Sequence, residues 1–197
     1  MKHTELIKKC QLYNIEAFNE LYMLYGQKAF RTACFIAGNK QLAEDIVQEA
    51  FTQCYFEIKN LKDPDLFNSW FYSILIRIGW RMSGKCKKVQ QNETSILEIE
   101  LFKSHENTED LVVQIEIHEK VNEALQTLNI KLRTTIILHY YNQLSIKEIS
   151  QIMDCFQGTV KSRLHTARKL IGKTLEKYMS TDYSDSKIYK KECLNNE

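Results

Sequence analysis

Apolar residues recur at three- and four-residue steps through most of this chain. Ala17, Leu21, Leu24 and Tyr25 form one such stretch, and Ala29, Phe30, Ala33 and Ile36 form a second that stops near Gly38. Each spacing gathers its apolar side chains on one side of an α-helix, so two core helices are expected. A longer helix is expected over about 41–60, where Ile46 or Val47, Ala50 or Phe51, Cys54 or Tyr55, and Ile58 make one stripe. Glu44, Asp45, Gln48 and Glu49 fall on its opposite side. The run Lys62-Asp63-Pro64-Asp65 interrupts the pattern, because proline disfavours helix in the residue before it. The next helix is expected from about Leu66 to Ser83, buried through Phe67, Phe71, Ile74 or Leu75, Ile78 and Met82.

In the second half, Ile117, Val121, Leu125 and Leu128 predict one helix, and Ile136, Ile137, Tyr140 and Tyr141 the next. Ser145-Ile146-Lys147-Glu148 is an S-x-x-E capping box, in which the serine hydroxyl and the glutamate carboxylate satisfy helix-start amides. It opens a short helix, Ile146 to Met153. A turn over Asp154 to Gly158 then leads into a longer helix buried along Val160, Leu164, Ala167, Ile171 and Leu175. Two helices joined by a tight turn fit a helix-turn-helix. Between the halves, Asn92 to Asp110 has no sustained period and reads as an extended tether. The polar tail after Tyr178 is expected to be disordered.

One proline and six glycines in 197 residues leave too little turn chemistry for a many-stranded fold, so the fold class is all-α. The longest apolar run, Trp70 to Ile76, ends at Arg77, far short of the roughly 20 residues of a membrane span. Membrane insertion is not expected, and Glu5, Lys8 and Lys9 stand where a secretory leader would be apolar. The cysteines at 10, 34, 54, 86, 155 and 193 form no C-x-x-C, which suits reduced thiols serving as apolar filler in a cytoplasm. No metal or cofactor site is expected. The five histidines form no H-E-x-x-H, and no G-x-x-x-x-G-K-[ST] or G-x-S-x-G occurs, so an enzyme is not expected.

Charge divides the chain where periodicity does. Residues 1–92 hold 13 basic and 9 acidic side chains, 93–119 hold 1 and 8, 120–178 hold 10 and 4, and 179–197 hold 3 and 4. Two basic helical modules flank an acidic stretch that should hold them apart, and such a chain suits a polyanion gripped at two places. Arg77, Arg81, Lys85 and Lys88 follow one another at steps of four, four and three, with Trp70 two turns upstream on the same side. Cations for phosphates and a ring for unstacked bases suit single-stranded nucleic acid. In the helix-turn-helix the second helix enters the major groove, which makes Thr159, Lys161, Ser162 and His165 candidate base readers. Arg163, Arg168, Lys169 and Lys173 would hold phosphates.

Three runs in this order resemble a bacterial RNA polymerase sigma factor of the extracytoplasmic-function (ECF) group of the sigma-70 family. Ala43-Glu44-Asp45-Ile46-Val47-Gln48-Glu49-Ala50-Phe51 is similar to the D-x-x-Q-E signature of region two, and Asn68-Ser69-Trp70-Phe71-Tyr72-Ser73-Ile74 to its continuation. Gly158-Thr159-Val160-Lys161-Ser162-Arg163-Leu164-His165-Thr166-Ala167-Arg168 is close to the G-T-V-K-S-R-L-x-R-A-R of region four. The resemblance implies a region-two domain over 1–91, an acidic linker over 92–116, a region-four domain over 117–178 and a tail over 179–197. It implies that Asp45, Gln48 and Glu49 bind core RNA polymerase at the clamp coiled coil of the β′ subunit, with the flap of the β subunit a further contact. Lys62, Trp70, Arg77, Arg81, Lys85 and Lys88 would meet the minus-ten promoter element. Thr159, Lys161, Ser162, Arg163, His165, Arg168 and Lys169 would meet the minus-thirty-five element, and an anti-sigma factor is an implied partner. The chain departs from the pattern at Arg77 and Arg81, where asparagine and aspartate are usual, at Asn129 for proline, and at Thr166 for arginine. A conventional helix-turn-helix regulator that works without joining the polymerase is the alternative.

Overall fold

The computed structural model describes residues 3–86 and 120–193, with side chains described for 3–84 and 120–176. Helices follow in the order α1 (His3–Gln11), α2 (Ile15–Ala37), α3 (Lys40–Glu57), α4 (Phe67–Cys86), α5 (120–127), α6 (Ile130–Ile136), α7 (Ile146–Ile152) and α8 (Gln157–Cys193). Short 3-10 turns, Ile58–Asn60 and Pro64–Leu66, carry the chain from α3 to α4, and α6 runs directly into a π-helical turn, Ile137–Tyr141. There is no strand among the described residues.

Asparagine starts three of these helices. The side chains of Asn14, Asn39 and Asn129 accept from the backbone N–H of Ala17, Leu42 and Leu132 at 2.7, 2.9 and 3.0 Å. Each supplies an acceptor that the helix start lacks, typically worth about 1 kcal/mol. The Ser145 box is complete, with Glu148 N–H donating to Ser145 Oγ at 3.2 Å and Ser145 N–H to Glu148 Oε2 at 2.8 Å. At the end of α2, Gly38 adopts φ 70°, and a Cβ there would lie 2.8 Å from Gln126 Oε1. The left-handed backbone strains any side chain there, and a Cβ would displace the end of Gln126.

In the first module α2, α3 and α4 enclose Leu21, Ile36, Ile46, Phe67, Phe71 and Leu75, all fully buried. The two stretches read as separate helices at 17–25 and 29–36 are one helix, continuous through Gly26. The helix α1 has no counterpart in the sequence reading, because Leu6, Ile7 and Cys10 are too few to show a period. It straps the α3–α4 connection: Gln11 Nε2 donates to the carbonyls of Ile58 and Leu61 at 3.2 and 2.7 Å, and Thr4 Oγ1 to Asp65 at 2.7 Å. Cys10, Cys34 and Cys54 are buried free thiols. Burial pushes the Cys10 thiol up to about 11 and the Cys34 thiol up to about 12.

The second module closes around Leu138, Ile149, Val160, Leu164 and Ala167. Two expectations need correction. The modules are not held apart: α7 packs on α4, and α6 with the π-turn packs on α2, so that one apolar core runs through both. The amide of Asn142 donates to Thr32 Oγ1 at 3.0 Å, and the Thr32 hydroxyl donates to the Lys28 carbonyl at 2.7 Å. Trp80 Nε1 donates to Thr134 Oγ1 at 2.9 Å, and the rings of Phe35 and Tyr141 meet edge to face at 5.3 Å. Shape and polar complementarity outweigh the net positive charge of both modules, and Lys28 Nζ itself donates across the contact to the Asn142 carbonyl at 3.4 Å. The tail is not disordered from 179: α8 continues to Cys193. Nothing after Gly172 in that stretch is glycine or proline, so no residue type stops the helix. The acidic linker expected over 92–116 lies outside the described residues.

Thr32→Val leaves the Asn142 amide buried without its acceptor, an effect of about 1–3 kcal/mol, whereas Asn142→Ala removes that donor and leaves the Thr32 hydroxyl on the Lys28 carbonyl. Urea unfolding of the two single variants and the double variant should show the double costing well below the sum of the singles. Strict additivity would mean that the pair does not act as a unit.

Candidate nucleic-acid interface

Asp45, Gln48 and Glu49 are exposed on the outer side of α3, opposite the buried Ile46, Val47 and Ala50. Beside Glu44 and Gln48 runs a groove of about 790 Å³ between α2 and α3, walled by Phe18, Tyr22, Phe51 and Tyr55. The half-exposed Tyr22 and the exposed Phe56 border it. An apolar trough with carboxylates on its rim suits an amphipathic helical partner carrying cations. The acidic positions were legible in the sequence. The trough was not, since Tyr22 and Phe56 belong to different helices.

On α4, Arg77 and Arg81 are exposed and Trp70 is half-buried, its ring 5.9 Å from that of Phe67. Lys62 is exposed in the connection that α1 straps. The side chains of Lys85 and Lys88 lie outside those described. Arg81 forms an ion pair with Glu49, both partners about half exposed. A cation of the proposed strand-binding track thus joins a carboxylate of the proposed protein-binding patch. The sequence separates them by 32 residues, and only the packing of α4 on α3 brings them together.

On α8 the exposed residues Lys161, Ser162, His165, Arg168 and Lys169 form the outer side of the helix, and Thr159 is partly covered. Their opposite numbers Val160, Leu164 and Ala167 are buried against α6 and α7. Arg163 differs from the other cations: it is half-buried and donates to Cys155 Sγ at 3.6 Å, tying the helix to the preceding turn. Arg168 Nε donates back to the Leu164 carbonyl at 3.3 Å. The turn does not depend on Gly158, which lies inside α8. Its left-handed residue is Asp154, at φ 46°. Aspartate tolerates that conformation better than most side chains.

The family model for sigma-70 region 4 matches residues 118–171. The ECF sigma factor SigW of Bacillus subtilis is 30% identical over 176 residues, covering 86% of this chain and 94% of SigW. The RNA polymerase sigma-H factor of Pseudomonas aeruginosa is 28% identical over 179 residues, covering 87% of this chain and 93% of that protein. Among solved structures, CnrH in complex with the cytosolic domain of CnrY is similar with a TM-score of 0.65 at 19% identity, over 88% of this chain and 97% of CnrH. The sigma factor RpoE, in complex with the anti-sigma factor NepR from Bartonella quintana, gives 0.59 at 21% identity, over 81% of this chain and 96% of RpoE. These two share the fold.

Arg163→Ala removes a side chain packed into the helix-turn-helix, whereas Arg168→Ala removes one that reaches solvent. Thermal unfolding should show a loss of about 1–2 kcal/mol for the first and within about 0.5 kcal/mol of no change for the second. Equal losses would remove the structural distinction between them.

Proposed function

Because this chain belongs to the ECF sigma factors of RNA polymerase, we propose that its three outward faces divide promoter recognition among them. As a sigma factor it binds core RNA polymerase and directs it to promoters, and region 4 contributes DNA binding. The carboxylate face of α3, with the trough beside it, docks on the clamp coiled coil of the β′ subunit. The 3-10 connection with Lys62 and the α4 face with Trp70, Arg77 and Arg81 takes the minus-ten element as it opens. Extruding a base costs a few kcal/mol, which stacking on a ring and neutralisation of phosphate by arginine offset.

The observation that carries the region-four assignment is the geometry of α7 and α8. A helix of seven residues, opened by a complete capping box, leads through a tight turn into a long helix whose exposed side is cationic. Lys161, Ser162 and His165 near its start read the minus-thirty-five element in the major groove, while Arg168, Lys169 and Lys173 hold phosphates. Arg163 keeps its turn in place first and reaches DNA second. The chemistry of RNA synthesis belongs to the core enzyme, and the protein works in the cytoplasm. No helix among the described residues is long and apolar enough to cross a membrane.

The packed modules add a step. The two promoter elements are separated by roughly 25 base pairs, on the order of 85 Å at 3.4 Å per pair. The 20 residues of α4 span only about 30 Å at 1.5 Å per residue. With α7 resting on α4, both elements cannot be held, so the modules part on the promoter. An anti-sigma factor would act by holding them together or by covering the faces that polymerase needs.

Two measurements test this assignment. Reversing charge with Asp45→Lys and Glu49→Lys should reduce co-elution with core polymerase at least tenfold while leaving the helical content unchanged. Undiminished association would place the clamp contact elsewhere, and promoter binding that needs no polymerase would favour a conventional regulator. In the polymerase complex, Lys161→Ala should narrow the affinity gap between specific and random upstream duplex. Lys173→Ala should weaken both alike and reduce the log–log salt slope by about one.

A further inference from the structure

Phe156 is 87% exposed, more than any other large apolar side chain among the described residues, and it stands immediately before the helix that enters the groove. Its carbonyl accepts the N–H groups of Thr159 at 2.9 Å and Val160 at 3.2 Å, so Phe156 holds the N-cap place of α8. Serine, threonine, aspartate or asparagine would stabilise that place by accepting a first-turn N–H through the side chain, as Asn14, Asn39, Asn129 and Ser145 do at four other helices of this chain. Phenylalanine cannot. The chain therefore forgoes both a cap and the burial of a large ring at one position, and neither loss is recovered inside the protein.

The surroundings leave room for a ligand there. Gln157 and Gly158 are exposed, and nothing lies within 4 Å of where a Cβ on Gly158 would be, so the approach to the ring is open. One turn further on stand Lys161 and Ser162, both exposed. A ring at this position enters the major groove together with those polar side chains. The apolar feature that base edges present in the major groove is the C5-methyl group of thymine, a contact open to phenylalanine.

We propose that Phe156 is a specificity-determining residue, reading a thymine methyl in the upstream promoter element. The proposal rests on the region-four assignment above. Buried contact with one methyl corresponds to about 0.8 kcal/mol, or about a fourfold preference for thymine over a base lacking the methyl.

The test uses the full chain with core polymerase on a promoter located by mapping transcript start sites. Each thymine of the upstream element is replaced in turn by deoxyuridine, which removes the methyl and leaves pairing intact. For the natural sequence, one or two positions should lose about fourfold in affinity. Phe156→Ser should bind these positions with no thymine preference while melting no lower than the unsubstituted protein, since serine can cap α8. Phe156→Leu should keep part of the preference. A Phe156→Ser variant with the same uracil sensitivity as the natural chain, or a natural chain indifferent to uracil at every position of a promoter it binds, overturns the proposal alone. A chain that directs no start sites overturns the sigma reading as well.

Discussion

A buried hydrogen bond between two chain segments 110 residues apart sets the arrangement of this molecule. The Asn142 amide meets the Thr32 hydroxyl inside an apolar interface, where an unpaired polar group would cost about 1–3 kcal/mol. Apolar contact alone tolerates sliding; a desolvated donor and acceptor do not. The pair therefore fixes how α2 meets the π-helical turn, with Phe35 against Tyr141 and Trp80 on Thr134 completing the fit. The π-turn itself follows from this position: Asn142 N–H donates to the Ile137 carbonyl at 3.0 Å, and the widened turn delivers the amide to Thr32.

Once the modules are packed, the placement of charge becomes intelligible. The cations of α4 and α8 face outward, and the carboxylates of α3 stand on a separate face beside an aromatic trough. The like-charged modules adhere although cations stand at the seam: Lys28 Nζ donates to the Asn142 carbonyl at 3.4 Å, and Arg133 is buried there. Arg133 is buried, donates to Gln126, and burial lowers its pKa from the usual guanidinium value. Gln126 in turn donates to the Phe35 carbonyl at 3.5 Å and packs over Gly38. A buried cation thus reaches the first module through an amide rather than through a carboxylate.

The face that would open a promoter and the face that would bind the polymerase share an ion pair, Arg81 with Glu49. Exposed pairs of this kind contribute little to stability, typically below about 1 kcal/mol. Its interest is geometric: it joins the two faces at one point. The base stands on α4, and the neighbouring helix α3 supplies the acid.

Much of the fold was present in the order of residues. Periodicity located α3, α4, α7 and α8, and the S-x-x-E run located the capping box, because each signal is local: the first follows from the pitch of a helix, the second from its unpaired starting amides. The three runs at 43–51, 68–74 and 158–168 carried the family for the same reason. The rest required parts of the chain distant in sequence to meet. The strap α1 was invisible because nine residues hold too little period, and its role depends on carbonyls at 58 and 61. The packing of one module on the other, the Glu49–Arg81 pair, the trough between α2 and α3, and the conversion of Arg163 into a brace on Cys155 were decided only in three dimensions. A sequence states what each helix side carries, but which sides are covered depends on the free energy of burying them against each other.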